Sequence, residues 1–430
     1  MKSIWSGDRP TFQSLEGDIK TDVLIIGGGI TGILCAYMLK NAGVDCLLVE
    51  ADKICSGITK NTTAKITCQH GLIYNKLINE YGRERARLYF EANQKAVEEY
   101  RELSKKYPCD FEDSNSYVYS RESRKKIENE VEALNKIGCN PLYTEKTSLP
   151  FSDITAVGIK NQGQFNPLKF LFGIAENLPV YENTRALAVR PDGVIFEKGK
   201  IKADKIIVAT HFPFINKHGS YFLKMYQSRS YVIAFEGSPG IDGMYVDENE
   251  KGLSFRQHKG ALLLGGGSHR TGKQGEDWKE LSRFAKKNYP DAREVCRWAT
   301  QDCMSLDGVS YIGRYSKNTE NLYVATGYNK WGMTSSMVGA MVLTDLVQGK
   351  KNMYSEVFSP TRSILKPQLA VNIAEATAGL LSFRTPRCPH LGCALKYNKQ
   401  EHSWDCSCHG SRFSKDGNLI DNPATDDLNI

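Results

Sequence analysis

The sequence predicts an α/β protein with a parallel sheet assembled from separated segments and a small additional unit at the C-terminus. A glycine-rich turn follows the apolar run 21–26, and similar runs recur at 205–210 and 321–327. Short runs rich in β-branched residues that end in glycine or small residues are typical of buried parallel strands. Residues 388–430 contain four of the twelve cysteines, a clustering that the rest of the chain does not share.

The charge and hydropathy of the chain exclude several classes of protein. Lys and Arg number 56 against 49 Asp and Glu, and the resulting charge of +7 is spread along the chain, which does not indicate a nucleic-acid-binding protein. No apolar run approaches the ~18 residues of a membrane span. The start, with Lys2, Asp8 and Pro10, lacks the apolar core of a signal peptide. We therefore expect a cytoplasmic protein of two or three domains.

The N-terminal glycines form a dinucleotide-binding motif. Gly27, Gly29 and Gly32 have the spacing G-x-G-x-x-G, and a helix-compatible stretch, a second apolar strand and Glu50 follow. The first glycine permits a tight turn, the second lets the backbone approach a pyrophosphate, and the third lets the helix pack on the strand. N–H groups at the helix start bind phosphates, and an acid at the position of Glu50 accepts hydrogen bonds from ribose hydroxyls.

A second strand, turn and helix start favours FAD over NAD as the dinucleotide. The strand 321–327 is followed by the glycine-bearing turn 328–334 and a predicted helix over 335–347. Backbone N–H groups at this second helix start could face a flavin ring and stabilise negative charge on it.

Over about residues 20–350 the chain resembles the D-amino-acid oxidase and glycine oxidase superfamily of FAD-dependent oxidoreductases. Besides the glycine motif with Glu50, the matching segments are 56–64, 163–167, 208–210, 307–313 and 326–334. The resemblance implies FAD as the cofactor. Some relatives attach the flavin covalently through His or Cys, and noncovalent FAD is our default expectation. The residues that it and the glycine motif assign to the cofactor are Gly27, Gly29, Ile30, Thr31, Gly32, Glu50, Ala51, Thr59, Thr63, Ala64, Ala186, Thr210, Gly327, Trp331, Gly332, Met333 and Thr334.

The resemblance also implies how the chain is divided, with the oxidoreductase occupying residues 1–365. Its Rossmann-like FAD-binding domain would be built from three stretches, about 20–107, 161–214 and 301–350. An interleaved antiparallel α+β substrate domain over the flavin would be built from two, about 108–160 and 215–300. A strand at 181–189 would pass the adenine end. Residues 366–387 would form a linker, helical over 371–381.

The candidate catalytic residues are those that the resemblance places near the flavin ring. Family members that act on amino acids hold the substrate carboxylate with an arginine just before the segment matching 307–313, where this chain has Asp302. An acid there could pair with a cationic amine or could simply cap a turn, so we expect an amine more than an α-amino acid. His70 also lies near the flavin in the family arrangement. The other candidates are Tyr226, Arg229, Tyr231, His258, His269 and Trp331.

The C-terminal cysteines and histidines have a metal-binding spacing. Cys388-x-His390 is separated by 15 residues from Cys406-x-x-His409. Two thiolates and two imidazoles could bind tetrahedral zinc, or a [2Fe–2S] cluster with the cysteines on one iron and the histidines on the other. The spacing of these four residues leaves both metal sites open.

Residues 388–430 resemble the cluster-binding part of Rieske iron–sulfur domains, in which two further cysteines form a disulfide. By this match the cluster ligands are Cys388, His390, Cys406 and His409, and the disulfide joins Cys393 and Cys408. The chain departs from the family in three respects: no β-sheet base domain precedes Cys388, Ser407 replaces a proline, and Phe413 stands where a tyrosine is common. We therefore expect the oxidoreductase to shield the cluster, and the cluster to have a lower potential than respiratory ones.

These features predict an FAD-dependent oxidoreductase that passes a hydride from a small amine or amino-acid-like substrate to flavin. A Rieske-type [2Fe–2S] cluster would exchange the electrons singly with an unidentified acceptor or donor. The alternative is a redox-sensing or electron-transfer protein without small-molecule turnover.

Overall fold

The computed structural model describes residues 2–190, 193–275, 277–382 and 385–429. Its α-helices are Ile30–Asn41 (α1), Ile73–Tyr81 (α2), Arg83–Lys106 (α3), Arg124–Lys136 (α4), Pro167–Ala175 (α5), Tyr221–Lys224 (α6), Asp277–Asn288 (α7), Gly332–Val347 (α8) and Pro367–Leu381 (α9). Its strands are Ile19–Ile26 (β1), Cys46–Val49 (β2), Lys65–Ile66 (β3), Glu112–Ser120 (β4), Leu142–Thr144 (β5), Thr155–Gln164 (β6), Val180–Tyr181 (β7), Ala188–Arg190 (β8), Gly193–Phe196 (β9), Gly199–Val208 (β10), Met225–Glu236 (β11), Met244–Asp247 (β12), Ser254–His258 (β13), Ala261–Arg270 (β14), Arg293–Ser305 (β15), Tyr311–Arg314 (β16), Leu322–Thr326 (β17), Leu395–Asn398 (β18), Ser403–Cys406 (β19), Arg412–Ser414 (β20) and Leu419–Asp421 (β21). No helix in these residues is long and apolar enough to span a membrane.

The first sheet has a parallel centre and carries the glycine-rich turn. Strands β17, β10, β1, β2 and β7 lie side by side in parallel, with β16 antiparallel at one edge. All of β2 and the end of β1 are buried, as their continuous apolar runs predict. Helices α1 and α8 pack against each other and start at Ile30 and Gly332, because each helix follows its glycine-bearing turn directly.

The predicted strand 181–189 is wrong over most of its length. Its two ends lie in the first sheet, Tyr181 in β7 and residues 188–189 in β8, which joins that sheet through a hairpin with β9. Between them the chain turns at Asn183, whose φ is +48°, and the buried Glu182 accepts a hydrogen bond from the Ile54 N–H at 2.8 Å. The segment therefore leaves the sheet to hold the loop that follows β2.

The second sheet has nine strands, and several of its residues line the cavity opposite the glycine-rich turn. Along its path β15, β11, β14, β13 and β12 are antiparallel, β12 pairs in parallel with β4, and β6, β3 and β5 complete it, with β5 paired to β6 off the main path. The predicted substrate-domain stretches supply most of it. Strand β3 lies outside the predicted stretches but belongs to this sheet, because Lys65 pairs with Gln164 of β6. Strand β15 extends beyond residue 300 to Ser305, because it pairs with the whole length of β11.

The C-terminal unit is a four-stranded antiparallel sheet of strands β18 to β21. Its small core includes Leu395 and Phe413, which are both fully buried. The predicted helix over 371–381 begins four residues earlier, at Pro367, because proline fits the first turn of a helix, where its missing N–H is not needed. The fold class that the sequence predicts is confirmed.

Candidate functional site

The glycine-rich turn between β1 and α1 leaves no room for side chains. Gly27 has a φ of +113°, and a Cβ there would lie 2.6 Å from the Ala209 carbonyl oxygen. A Cβ on Gly32 would lie 1.9 Å from the Gly27 carbonyl oxygen. Helix α1 starts without a side-chain cap, and its Ile30 N–H donates to the Thr59 hydroxyl at 3.1 Å. The positive end of the helix dipole thus faces open space, which suits a diphosphate.

Glu50 is fixed beside this turn in the position that a ribose-binding acid needs. Its two carboxylate oxygens accept hydrogen bonds from the N–H of Gly28 at 2.7 Å and of Asp52 at 2.9 Å. Burial raises the pKa of Glu50, and these N–H donors oppose that rise. Each oxygen has a further lone pair with which it can accept a hydroxyl.

A cavity of about 1180 Å³ opens in front of the turn, with walls from both large sheets. Thirteen of the residues predicted to bind the cofactor line it: Gly27, Gly29, Ile30, Thr31, Glu50, Ala51, Thr59, Thr63, Ala186, Thr210, Trp331, Gly332 and Met333. The structure thus brings together residues that are as many as 306 positions apart in the sequence. A cavity of this size and composition fits FAD.

The other four residues predicted to bind the cofactor do not line the cavity and instead shape the segments that do. Gly32 allows α1 to pack on the turn. Ala64, at a φ of +53°, uses its carbonyl oxygen to accept a hydrogen bond from Arg256, and Gly327 has a φ of +71°. Thr334 is buried and donates to the Thr67 carbonyl oxygen at 3.0 Å.

His70 lines the cavity next to the start of α8. Its ring stacks on Trp331 with centroids 5.0 Å apart, its Nδ1 lies 2.6 Å from the Tyr89 hydroxyl, and its Nε2 lies 2.9 Å from the Thr334 hydroxyl. Burial lowers the pKa of His70 to about 3, so the ring is neutral. Both ring nitrogens are engaged within the protein, an arrangement that suits noncovalent flavin.

Five of the eight candidates line the cavity, namely His70, Tyr226, Tyr231, Asp302 and Trp331, whereas His258 does not. Burial raises the pKa of Asp302 to about 6, opposed by the charges of Lys330 and Arg229. The structure does not bring Arg229 or His269 to the cavity wall.

Arg229 and His269 instead contact the C-terminal unit and a neighbouring strand, respectively. The Arg229 guanidinium donates to Glu401 of the C-terminal unit, with a distance of 2.9 Å from Nε to Oε1. His269 stacks on Tyr231 at 5.7 Å, and its Nδ1 lies 3.1 Å from the Gly267 carbonyl oxygen.

Two lysines that the sequence analysis did not select also line the cavity, Lys65 and Lys330. The Lys330 ammonium donates to the Ser268 hydroxyl at 2.8 Å, and the residue has a φ of +72° directly after Asn329 at +51°. Two consecutive non-glycine residues in this region are strained, and such strain is concentrated at functional sites. The sequence signal for Lys65 was a lysine inside the apolar segment of β3.

The four predicted cluster ligands converge in the C-terminal unit. The rings of His390 and His409 lie 4.9 Å apart, and their Nδ1 atoms are buried without a hydrogen-bond partner. Cys388 and Cys406 are buried free thiols, whereas Cys393 and Cys408 form a disulfide. Buried polar atoms in native proteins are normally paired, so two orphaned imidazole nitrogens indicate missing partners. Two thiols and two imidazole nitrogens are the donor set of a Rieske cluster.

The second sheet covers the loop that carries His409. The Gln227 amide donates to the His409 carbonyl oxygen at 3.0 Å, and the Gln301 amide donates to the Gly410 carbonyl oxygen at 2.9 Å and to Gln227 at 2.8 Å. Arg270 donates to the Ser407 carbonyl oxygen at 2.8 Å. His409 is consequently only 4% exposed. The strands β11, β14 and β15 thus support this loop where other Rieske proteins have a base domain.

The C-terminal unit also forms part of the cavity wall. Asp421 and Asn422 line the cavity together with the glycine-rich turn. The Asn422 amide donates to the carbonyl oxygens of Thr210 and Phe212, the latter at 2.9 Å, just beyond the end of β10. The C-terminal unit therefore contributes directly to the cavity wall, and sequence reasoning gave no signal for this role of Asn422.

Comparisons with known proteins agree with both sites. A family model described as FAD dependent oxidoreductase (DAO) matches residues 22–346, and a Rieske [2Fe-2S] domain model matches residues 362–430. A Bacillus subtilis (strain 168) protein named as a Rieske 2Fe-2S iron-sulfur protein, YhfW, is 35% identical over 97% of this chain and 95% of its own. The gamma-glutamylputrescine oxidoreductase of Escherichia coli (strain K12) is 24% identical over 79% of this chain and 86% of its own.

A solved structure, the L-proline dehydrogenase from P. horikoshii, has the same fold. Its TM-score is 0.67 at 19% identity, covering 81% of this chain and 98% of that one. FAD and a [2Fe–2S] cluster, the two predicted cofactors, are those of the two matched families. The chain therefore belongs to the DAO family of FAD-dependent oxidoreductases and carries a Rieske [2Fe–2S] domain at its C-terminus.

Proposed function

We propose that the protein oxidises a small amine or amino-acid-like compound at its flavin and exchanges the electrons through its Rieske cluster. The observation that carries this proposal is that the C-terminal unit contributes to the wall of the cavity that would hold FAD. Residues 421–422 of the cluster unit line the same cavity as Gly29, Tyr226 and Asp302. An organic donor that gives up two electrons together and a partner that takes them singly need a converter between them. A flavin site and a Rieske domain in one chain would supply that converter.

The FAD would be held by groups that the structure already orients. The start of α1 would bind the diphosphate, Glu50 the ribose hydroxyls, and the start of α8 the flavin ring. When bound, FAD supplies a hydride acceptor, and the cluster held by the ligands at 388, 390, 406 and 409 supplies a carrier of single electrons.

Asp302 would bind the amine of the substrate. Its carboxyl lies on the cavity wall in β15, and its charge interacts with that of Lys330 on the turn after β17. A carboxylate pairs with a cationic amine, and an ammonium such as that of Lys330 pairs with a carboxylate. The Asp302 carboxylate and the Lys330 ammonium together suit a compound that carries both an amine and a carboxylate. The names of the E. coli and P. horikoshii relatives support an amine or amino-acid substrate.

Rigid docking would keep the two cofactors at a constant separation. The carbonyl oxygens of His409, Gly410 and Asn422 are all held by the buried amides of Gln227 and Gln301. Undocking would expose these amides to water and break the hydrogen bonds to the unit, at a net cost of about 0.5–1.5 kcal/mol for each bond. The cluster unit is thus expected to stay docked during electron exchange.

Anaerobic titration of the holoprotein with a panel of amines and amino acids tests the proposal. We expect one class of compound to bleach the flavin absorption and then the cluster bands. A matched Cys406→Ala variant should lose the second change and keep the first. If no compound of a broad panel bleaches the flavin, the protein is a redox sensor or electron carrier instead.

A further inference from the structure

Lys65 is a buried cation on the cavity wall without a carboxylate partner. Its side chain is 9% exposed, and its Nζ lies 3.4 Å from the Thr63 hydroxyl and 3.5 Å from the Ser254 hydroxyl. Both distances are at the long limit for a hydrogen bond. In the described residues, no carboxylate lies within 4.0 Å of this ammonium group. At least one of its three N–H donors is therefore available to a ligand in the cavity.

A second buried cation, Arg256, lies behind Lys65. It is fully buried, and its guanidinium donates to the Gln164 side chain at 3.0 Å and to the carbonyl oxygens of Ala64 at 2.9 Å and Phe165 at 3.0 Å. These acceptors are all neutral. The described part of the chain places no carboxylate within 4.0 Å of this group either. The exposed Glu112 joins the network through the Gln164 amide.

Two buried cations without a counter-charge are costly for the protein alone. Removing an ion from water is unfavourable unless an opposite charge and hydrogen bonds replace the water. Burial, and then the charge of Arg256, lower the pKa of Lys65 to about 7. A lowered pKa of Lys65 is expected for a cation site whose anionic ligand is not bound.

The position of the two cations identifies that anion. Arg256 also donates to the Thr63 carbonyl oxygen, so it fixes the segment that the family resemblance assigns to the flavin. Lys65 continues this segment directly. A hydride consists of two electrons and one proton, so its transfer from an amine that has first given its ammonium proton to the Asp302 carboxylate would leave a cationic iminium product and would add one negative charge to the flavin. We propose that Lys65, with Arg256 behind it, stabilises the negative charge that the flavin acquires on reduction.

This role depends on the flavin site and on no particular substrate. It deepens the proposed function, because a flavin that is more easily reduced accepts a hydride from a weaker donor. Lys330 differs from Lys65 because it lies near Asp302 and has Glu250 at 3.9 Å, so its charge is partly compensated.

Sulfite binding and flavin potential test the role without any substrate. Sulfite adds to oxidised flavin, bleaches it and leaves negative charge on the ring. We expect Lys65→Met to weaken sulfite binding about tenfold or more and to make the flavin potential more negative. Lys65→Gln, which keeps polar contacts to Thr63 and Ser254, should behave in the same way, and Lys65→Arg should restore both values.

The matched control is Lys76→Met at the cavity rim. The Lys76 ammonium is half-exposed and donates to the Asp307 carbonyl oxygen at 2.7 Å, so its removal should change neither value. Flavin content of each variant reports on folding. The proposal is overturned if both Lys65→Met and Lys65→Gln bind FAD and keep sulfite affinity and potential within about twofold of wild type. It is also overturned if only the affinity for simple carboxylates falls, since Lys65 would then bind substrate.

Discussion

The flavin region and the cluster unit are supported in opposite ways. The glycine-rich turn is held by its own sheet, since Gly27 packs on Ala209 and Gly32 packs on Gly27. The cluster unit has four strands of three or four residues and a small core, and its ligand loop is held by Gln227 and Gln301 of another sheet. One region is self-contained, whereas the other depends on its neighbour.

The difference follows from size. A unit of about 40 residues buries too little apolar surface to fold alone and needs a disulfide, a metal or a partner. Here the disulfide of Cys393 and Cys408, the four predicted cluster ligands and the docked second sheet are all present. Four experiments test this contrast.

Gly32→Ala should have the largest effect, the loss of both cofactors. The new Cβ would lie 1.9 Å from the Gly27 carbonyl oxygen, so the turn and α1 must separate. The cluster unit would lose the body that supports it, and both flavin and iron per protein should fall towards zero. Gly173→Ala, where the nearest contact is 3.4 Å, is the control that should retain both. A Gly32→Ala protein with full iron would show that the unit stands alone.

Cys406→Ala should remove iron and leave flavin at its wild-type content. The thiol is one of four predicted cluster ligands, whereas the glycine-rich turn has its own support. Iron, acid-labile sulfide and flavin are measured on one sample. Cys296→Ala, which removes a half-buried free thiol, is the control. Joint loss of flavin would mean that the flavin region depends on the cluster.

Arg229→Met should release the cluster unit without direct damage to the flavin. It removes one partner of a buried ion pair in which the side chains of Arg229 and Glu401 are 7% and 1% exposed. Removing one partner of a buried pair costs about 3–5 kcal/mol when the other charge is left uncompensated, and we expect a smaller loss here because Arg412 still pairs with Glu401. Urea denaturation followed through the cluster bands measures the loss.

The double variant Arg229→Met/Glu401→Gln should recover most of that stability. Arg412 and Tyr231 also contact Glu401, so recovery is expected to be incomplete. Slower flavin reduction with unchanged stability would instead place Arg229 in the catalytic site.

Asp302→Asn should have the smallest effect, a changed pH profile of flavin reduction by an amine. Burial raises the pKa of Asp302 to about 6, so its negative charge is present above that pH and lost below it. Wild-type reduction at low substrate concentration should therefore fall as the pH drops through about 6. The variant should lack this inflection and react about tenfold more slowly at neutral pH. An inflection that persists in the variant belongs to another group.

Local spacing in the sequence predicts the glycine-rich dinucleotide turn and the C-terminal metal-binding loop, whereas the family resemblances assign FAD and a [2Fe–2S] cluster to them. The distances between Gly27, Gly29 and Gly32 fix one turn, and the distance between Cys388 and His390 fixes one loop. Backbone geometry converts such short spacings into a site wherever they occur in a fold. The buried parallel strands and the two helix starts could be predicted for the same reason.

Only the tertiary structure decided what surrounds those cofactor sites. Arg229 pairs with a residue 172 positions away, and Gln227 holds a carbonyl group 182 positions away. Lys65 and Arg256 meet across a sheet, although neither belongs to a recognisable motif. Such contacts depend on how sheets pack, and packing depends on the whole chain rather than on any short segment.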